Sequence, residues 1–168
     1  LIPAITMRLW SEEKKSGTIE LLTTLPITTL NIVLGKFLAA WAFTFIALTL
    51  TFPVWITVNY LGKPDNGVIL ASYIGSLLMA GGYLSIGIFI SSLTKNQVIA
   101  FIVSVTVCFL FTVSGLPLVL DFFSNWTGEA ITDVIASFSF LANFSDISKG
   151  IIDIRTIIYF ASLIFLFL

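Results

Sequence analysis

The sequence predicts an all-α, polytopic integral membrane helical bundle, and three observations carry that prediction. Apolar residues make up 58% of the 168 residues and charged residues 10%, where a soluble domain sits near 45–50% and about 25%. The mean hydropathy is +1.08. The few charges are spaced so that long stretches carry none: 26 residues between Lys36 and Lys63, 29 between Asp65 and Lys95, and 25 between Lys95 and Asp121. A helix needs about 20 residues to cross about 30 Å of hydrocarbon, so each gap holds a span. These numbers exclude a disordered chain, a nucleic-acid binder and an ordinary soluble enzyme.

The elements follow in order within a single transmembrane domain, residues 1–168. The chain begins at Leu1 rather than Met and stops at Leu168 inside an apolar run, which reads as a fragment of a longer membrane protein. Residues 1–7 are expected to end a preceding span, and 8–31 to form a polar segment. The first complete span covers 32–60. Pro53 interrupts it, flanked by Thr49, Thr51 and Thr57, and a proline in a membrane helix frees a carbonyl that a hydroxyl or a neighbouring helix can satisfy. That kink serves packing or gating. Gly62-Lys63-Pro64-Asp65-Asn66-Gly67 is a turn of turn-forming residues.

The second span covers 68–93 and is rich in small residues, with Ala71 and Gly75 one pair at i, i+4. Such faces let backbones approach closely in lipid, so this is expected to be the central helix. A third span covers 98–120. From 121 to 153 the character changes. Ile131, Val134, Ile135, Phe138 and Leu141 form one apolar stripe at helical period. That predicts an outer amphipathic helix, lying in the interface or packed against the mouth of the spans. Only 13 residues follow Arg155, so 154–168 is a truncated last span.

Lys and Arg set the orientation. Arg8, Lys14, Lys15, Lys36 and Lys95 fall on one side, and Lys63, Lys149 and Arg155 on the other. The surplus puts 8–36 in the cytoplasm. The chain has no histidine, and its one cysteine, Cys108, lies in an apolar run. That leaves no histidine base, no zinc site and no internal disulfide. Acids are missing from every complete span, which speaks against an intramembrane protease or acyltransferase. A phosphate-binding Gly-x-x-x-x-Gly-Lys-Ser/Thr loop is also missing.

The segment from Met7 to Pro26 holds three of the eight basic residues. A short amphipathic helix fits Thr18 to Thr24, with a bend at Gly17 and an end at Pro26. On the residues alone it is either a solvated loop or a docking surface for a soluble partner. Its residues Pro3, Met7-Arg8, Glu12-Glu13, Lys14, Ser16-Gly17-Thr18, Glu20, Leu21-Leu22, Pro26 and Gly35-Lys36 match a known pattern. The segment resembles the cytoplasmic motif of ABC-2-type transporter permeases. Asn96-Gln97, Ala100 and Gly150-Ile151-Ile152-Asp153 add likeness to the permeases of gliding-motility-associated transporters.

The resemblance implies a six-span exporter permease of a bacterial inner membrane, working with a second permease in a homodimer or heterodimer. It implies no cofactor in this chain, with ATP and Mg bound by a separate ATP-binding cassette ATPase. It further implies that Glu12, Glu13, Lys14, Lys15, Gly17, Thr18 and Glu20 dock on that ATPase. A membrane scaffold or assembly factor related to such permeases is the alternative.

Overall fold

The computed structural model describes residues 2–24, 26–116, 119–121, 137, 139–150 and 153–168. The described residues are helical and contain no strand. Three short helices open the chain: α1 (Ile2–Thr6), α2 (Ser11–Ser16) and α3 (Thr18–Thr24). Then come α4 (Thr29–Thr49), α5 (Phe52–Leu61), α6 (Asn66–Leu93), α7 (Gln97–Val113), α8 (Phe140–Ser148) and α9 (Ile154–Phe167). Of the amphipathic stripe, Ile131, Val134, Ile135 and Phe138 lie outside the described residues.

α6 is the axis of the bundle. Its 28 residues make a rod about 42 Å long, more than the hydrocarbon thickness. Asp65 starts it by accepting the Gly67 amide at 2.9 Å, which satisfies one of the free N–H groups at a helix start. Its glycines receive the neighbours. A methyl added at Gly75 would lie 2.7 Å from Ile147 of α8, and one at Gly82 would lie 2.7 Å from the Phe140 ring. Gly81 faces Ile164 of α9 and Trp41 of α4, and Gly87 faces Thr6 of α1. Trp41 also donates its indole N–H to the Leu77 carbonyl at 3.0 Å.

The other helices turn one narrow stripe toward this axis. α7 buries Ala100, Ser104 and Cys108, at i, i+4 and i+8. α9 buries Thr156, Phe160 and Leu163, and α4 buries Phe37, Ala40 and Thr44. Their remaining faces expose large apolar side chains such as Leu38, Phe45, Ile102 and Phe109, as expected where the surrounding medium is lipid. Phe140 stacks on Tyr83 with ring centroids 4.5 Å apart and meets the edge of Phe111 at 5.7 Å.

α8 therefore starts at mid-depth beside Gly82 and ends near the start of α6, where Gly150 faces Val68. Its nine residues span about 14 Å, roughly half a bilayer core. Phe140 and Ile147 are fully buried, so this helix is part of the packed bundle and does not lie flat on a surface. α9 then runs parallel to α6, from Gly82 against Phe160 to Phe89 against Phe167.

At Pro53 the first span is interrupted as a full break, and the third helix ends before Leu120. The first span is broken: α4 stops at Thr49, and α5 begins with Pro53 in its first turn. Thr49 and Thr51 hydroxyls donate to the Ile46 and Leu48 carbonyls at 2.7 and 2.6 Å, and the Thr51 hydroxyl pairs with that of Tyr73 at 2.8 Å. The third span, expected to reach Leu120, has its helix end at Val113, with a turn from Leu116 N–H to the Val113 carbonyl. Gly115 weakens the helix there, and a residue before proline, here Leu116, disfavours the α conformation.

Gly82→Ala is expected to cost about 1–3 kcal/mol, because the Phe140 ring is held on several sides and cannot yield. Gly35→Ala, whose added methyl meets nothing within 4 Å, should hold or gain stability through helix propensity. Heating each variant in detergent with a thiol-reactive dye reports unfolding through buried Cys108. An equal melting temperature for both would contradict the close packing at Gly82.

Candidate functional site

The N-terminal segment forms an elbow at one end of the bundle, where Arg8, Lys14, Lys15, Lys36 and Lys95 gather. Local sequence makes its two arms. Glu12 and Glu13 in the first turn of α2 and Lys14 and Lys15 in its last turn suit the helix dipole. Gly17 closes α2 with φ +76°, a left-handed conformation that other residues adopt at a cost of about 1–2 kcal/mol. α3 starts at the next residue. Ser16 and Thr18 hydroxyls meet at 2.9 Å across the bend, and Ser16 donates to the Glu12 carbonyl at 2.9 Å.

The bundle grips this elbow from two sides. From α6, the Ser91 hydroxyl accepts the Trp10 and Ser11 amides, each at 3.2 Å, and donates to the Met7 carbonyl at 3.2 Å. Ser91 thus caps the start of α2 from 80 residues away, where Trp10 supplies no side-chain cap of its own. From α4, Lys36 donates to the Leu9 carbonyl at 2.6 Å and pairs with the Glu13 carboxylate. Its ammonium also sits over the Trp10 ring, 3.9 Å from the centroid, a favourable cation–π position.

The residues read from the sequence as docking residues therefore divide. Glu13 is half-buried and bound to Lys36, and Lys14 is half-buried and donates to the Ser92 carbonyl. These two anchor the elbow to the bundle. Glu12, Lys15, Gly17, Thr18 and Glu20 are exposed. Leu21, next to Glu20 on α3, is 69% exposed, an apolar side chain at the polar end of the molecule. Ser91, Lys36 and Leu21 escaped the sequence reading as functional residues. Ser91 and Lys36 act across long separations, and a leucine in a helix gives no sign of facing outward.

An open groove of about 630 Å³ lies between α1, α4, α6 and α7. Among the described residues, its walls include Leu48, Ala80, Phe101, Val105 and Phe109, and no charged side chain. Its polar features are Thr44, Ser76 and a Tyr83–Thr112 hydroxyl pair at 2.6 Å.

The chain is thus an apolar helical bundle with a polar elbow bound to two of its helices. The family model described as ABC-2 family transporter protein matches residues 1–165, nearly the whole chain and the elbow with it. The chain belongs to the ABC-2 transporter family. Neither the curated proteins nor the solved structures gave a match. An ABC-2 chain of this kind is a membrane permease component, typically non-catalytic, and the family implies association with an ATP-binding cassette ATPase.

Removing Ser91 or Lys36 should loosen the elbow without unfolding the bundle. Ser91→Ala leaves two amides without an acceptor, at about 1–3 kcal/mol, and Lys36→Met frees Glu13 and the Leu9 carbonyl. Hydrogen exchange at the Leu9–Ser16 amides should rise at least about tenfold in both variants, while α6 and α7 amides keep their protection. Unchanged exchange in the elbow would show that neither contact holds it.

Proposed function

We propose that this chain is the permease of an ATP-driven exporter and receives work through the elbow. The single observation that carries this reading is the clamp of Ser91 and Lys36 on α2. A helix held by hydrogen bonds to two long helices moves with them as one body, so a push on α2 and α3 tilts α4 and α6. The exposed Glu12, Thr18, Glu20 and Leu21 form the docking face. Glu13 and Lys14 transmit by anchoring the elbow and do not themselves touch the partner.

The partner ATPase binds ATP and Mg, and its closure around ATP and reopening after hydrolysis supply the work. A second permease, the same chain or a relative, completes the membrane unit. The surplus of Lys and Arg at the elbow's end supports placing that end in the cytoplasm of a bacterial inner membrane. The motif residues and the Asn96-Gln97 turn support a gliding-motility-associated subgroup. An uncharged groove wall supports a hydrophobic or amphiphilic cargo, since a charged solute in a membrane calls for buried partners of opposite charge.

Affinity purification of the tagged full-length protein from mild-detergent membranes tests the coupling. A stoichiometric ATPase with a phosphate-binding loop is expected to co-purify. Glu12→Lys with Glu20→Lys should remove it while leaving the melting temperature in place. An ATPase retained by that double variant would move docking elsewhere. No ATPase at any salt or detergent would favour a membrane scaffold without transport.

A further inference from the structure

A second feature at the elbow's end is a cleft of about 290 Å³ between the end of α2 and the start of α7, lined by Lys15, Lys95, Asn96, Gln97 and Val98. Both lysines are exposed, and neither has an ion-pair partner among the described residues. Among the described residues, no carboxylate lines the cleft. Two cations thus share one concavity with no counter-ion, although Glu12 and Glu13 lie on the same short helix. The start of α7 adds the positive end of a 17-residue helix.

The lining includes apolar surface. Val98 is 63% exposed, and Leu93, two residues before Lys95 at the end of α6, is 67% exposed, and in a membrane bundle such side chains meet lipid tails. The lysines therefore stand at the boundary where tails give way to headgroups. A soluble anion would satisfy the charge and leave the apolar border unused, whereas an amphiphile with an anionic head satisfies both. A basic pocket beside helix ends at the cytoplasmic surface suits an anionic phospholipid.

We propose that this cleft binds the headgroup of an anionic phospholipid, with Lys15 and Lys95 on the phosphate and the acyl chains along Leu93 and Val98. The proposal rests on the membrane orientation argued above and not on the ATPase partner. Lys15 belongs to α2 and Lys95 to the turn between α6 and α7, so the lipid bridges the elbow and the bundle. Lipid composition would then tune how firmly the elbow is held.

The test is native mass spectrometry of the purified full-length protein, without ATPase, titrated with phosphatidylglycerol and with phosphatidylcholine of the same chains. The wild type should retain phosphatidylglycerol in preference by roughly tenfold or more, from about one lysine's worth of attraction at each position. Lys15→Gln with Lys95→Gln should abolish the preference, and Lys15→Arg with Lys95→Arg should keep it. Lys63→Gln, at the opposite end of α6, should leave it unchanged.

Equal retention of the two lipids by the wild type would overturn the proposal, as would an undiminished preference in the glutamine pair or a lost one in the arginine pair. Displacement of phosphatidylglycerol by an equal concentration of glycerol phosphate would also overturn it, marking a soluble-anion site. With no ATPase in the sample, a negative result here leaves the permease reading standing. A failed co-purification would in turn leave a lipid preference intact.

Discussion

Helices surrounded by lipid gain little by hiding apolar surface from each other, because the tails are as apolar as leucine. What holds them is close van der Waals contact, with a few hydrogen bonds. That constraint explains the design of α6. Gly75, Gly81, Gly82 and Gly87 bring α8, α9, α4 and α1 onto its backbone, and no side chain of its own stands in the way. Phe140 fills the resulting space with four aromatic neighbours, Tyr83, Phe111, Tyr159 and Phe160. α5, which buries no residue, meets none of these glycines and touches α6 instead through Trp55, which stacks on Tyr73 and donates to Asn66.

The elbow depends on that packing. Ser91 can cap α2 only because Thr6 sits against Gly87, one turn earlier on α6. α1 is thereby laid along α6, and Met7, Trp10 and Ser11 arrive within reach of the Ser91 hydroxyl. Lys36 completes the grip from α4 through the Leu9 carbonyl, the Glu13 carboxylate and the Trp10 ring. Those contacts use the donors of an ammonium that would otherwise sit unpaired near hydrocarbon. The same arrangement sorts the charges of α2 by duty. Glu13 and Lys14 turn inward to hold, and Glu12 and Lys15 stay exposed.

Much of this was legible beforehand, for reasons that can be named. The gaps between Lys36, Lys63, Lys95 and Asp121 are a matter of length and desolvation cost, so the helical membrane class follows from counting. The αL bend at Gly17 and the break at Pro53 are local, set by residues whose backbone freedom is unusual. The small residues of 71–87 announce a tightly packed helix, because only close approach makes use of them.

What the sequence by itself determined is therefore the class, the broad placing of apolar helices and the polar segment that carries the family pattern. Those properties depend on composition and on neighbours within a few residues. The tertiary structure alone decided which charges anchor and which stay exposed. It also decided that Phe140–Ser148 enters the bundle to half its depth, and that Lys15 and Lys95 share a cleft. Each of these joins positions tens of residues apart, as in Lys36 to Glu13, Phe140 to Gly82 and Lys15 to Lys95. Nothing in a local pattern fixes which distant helix supplies the other half of a contact; the packing on the glycines of α6 does.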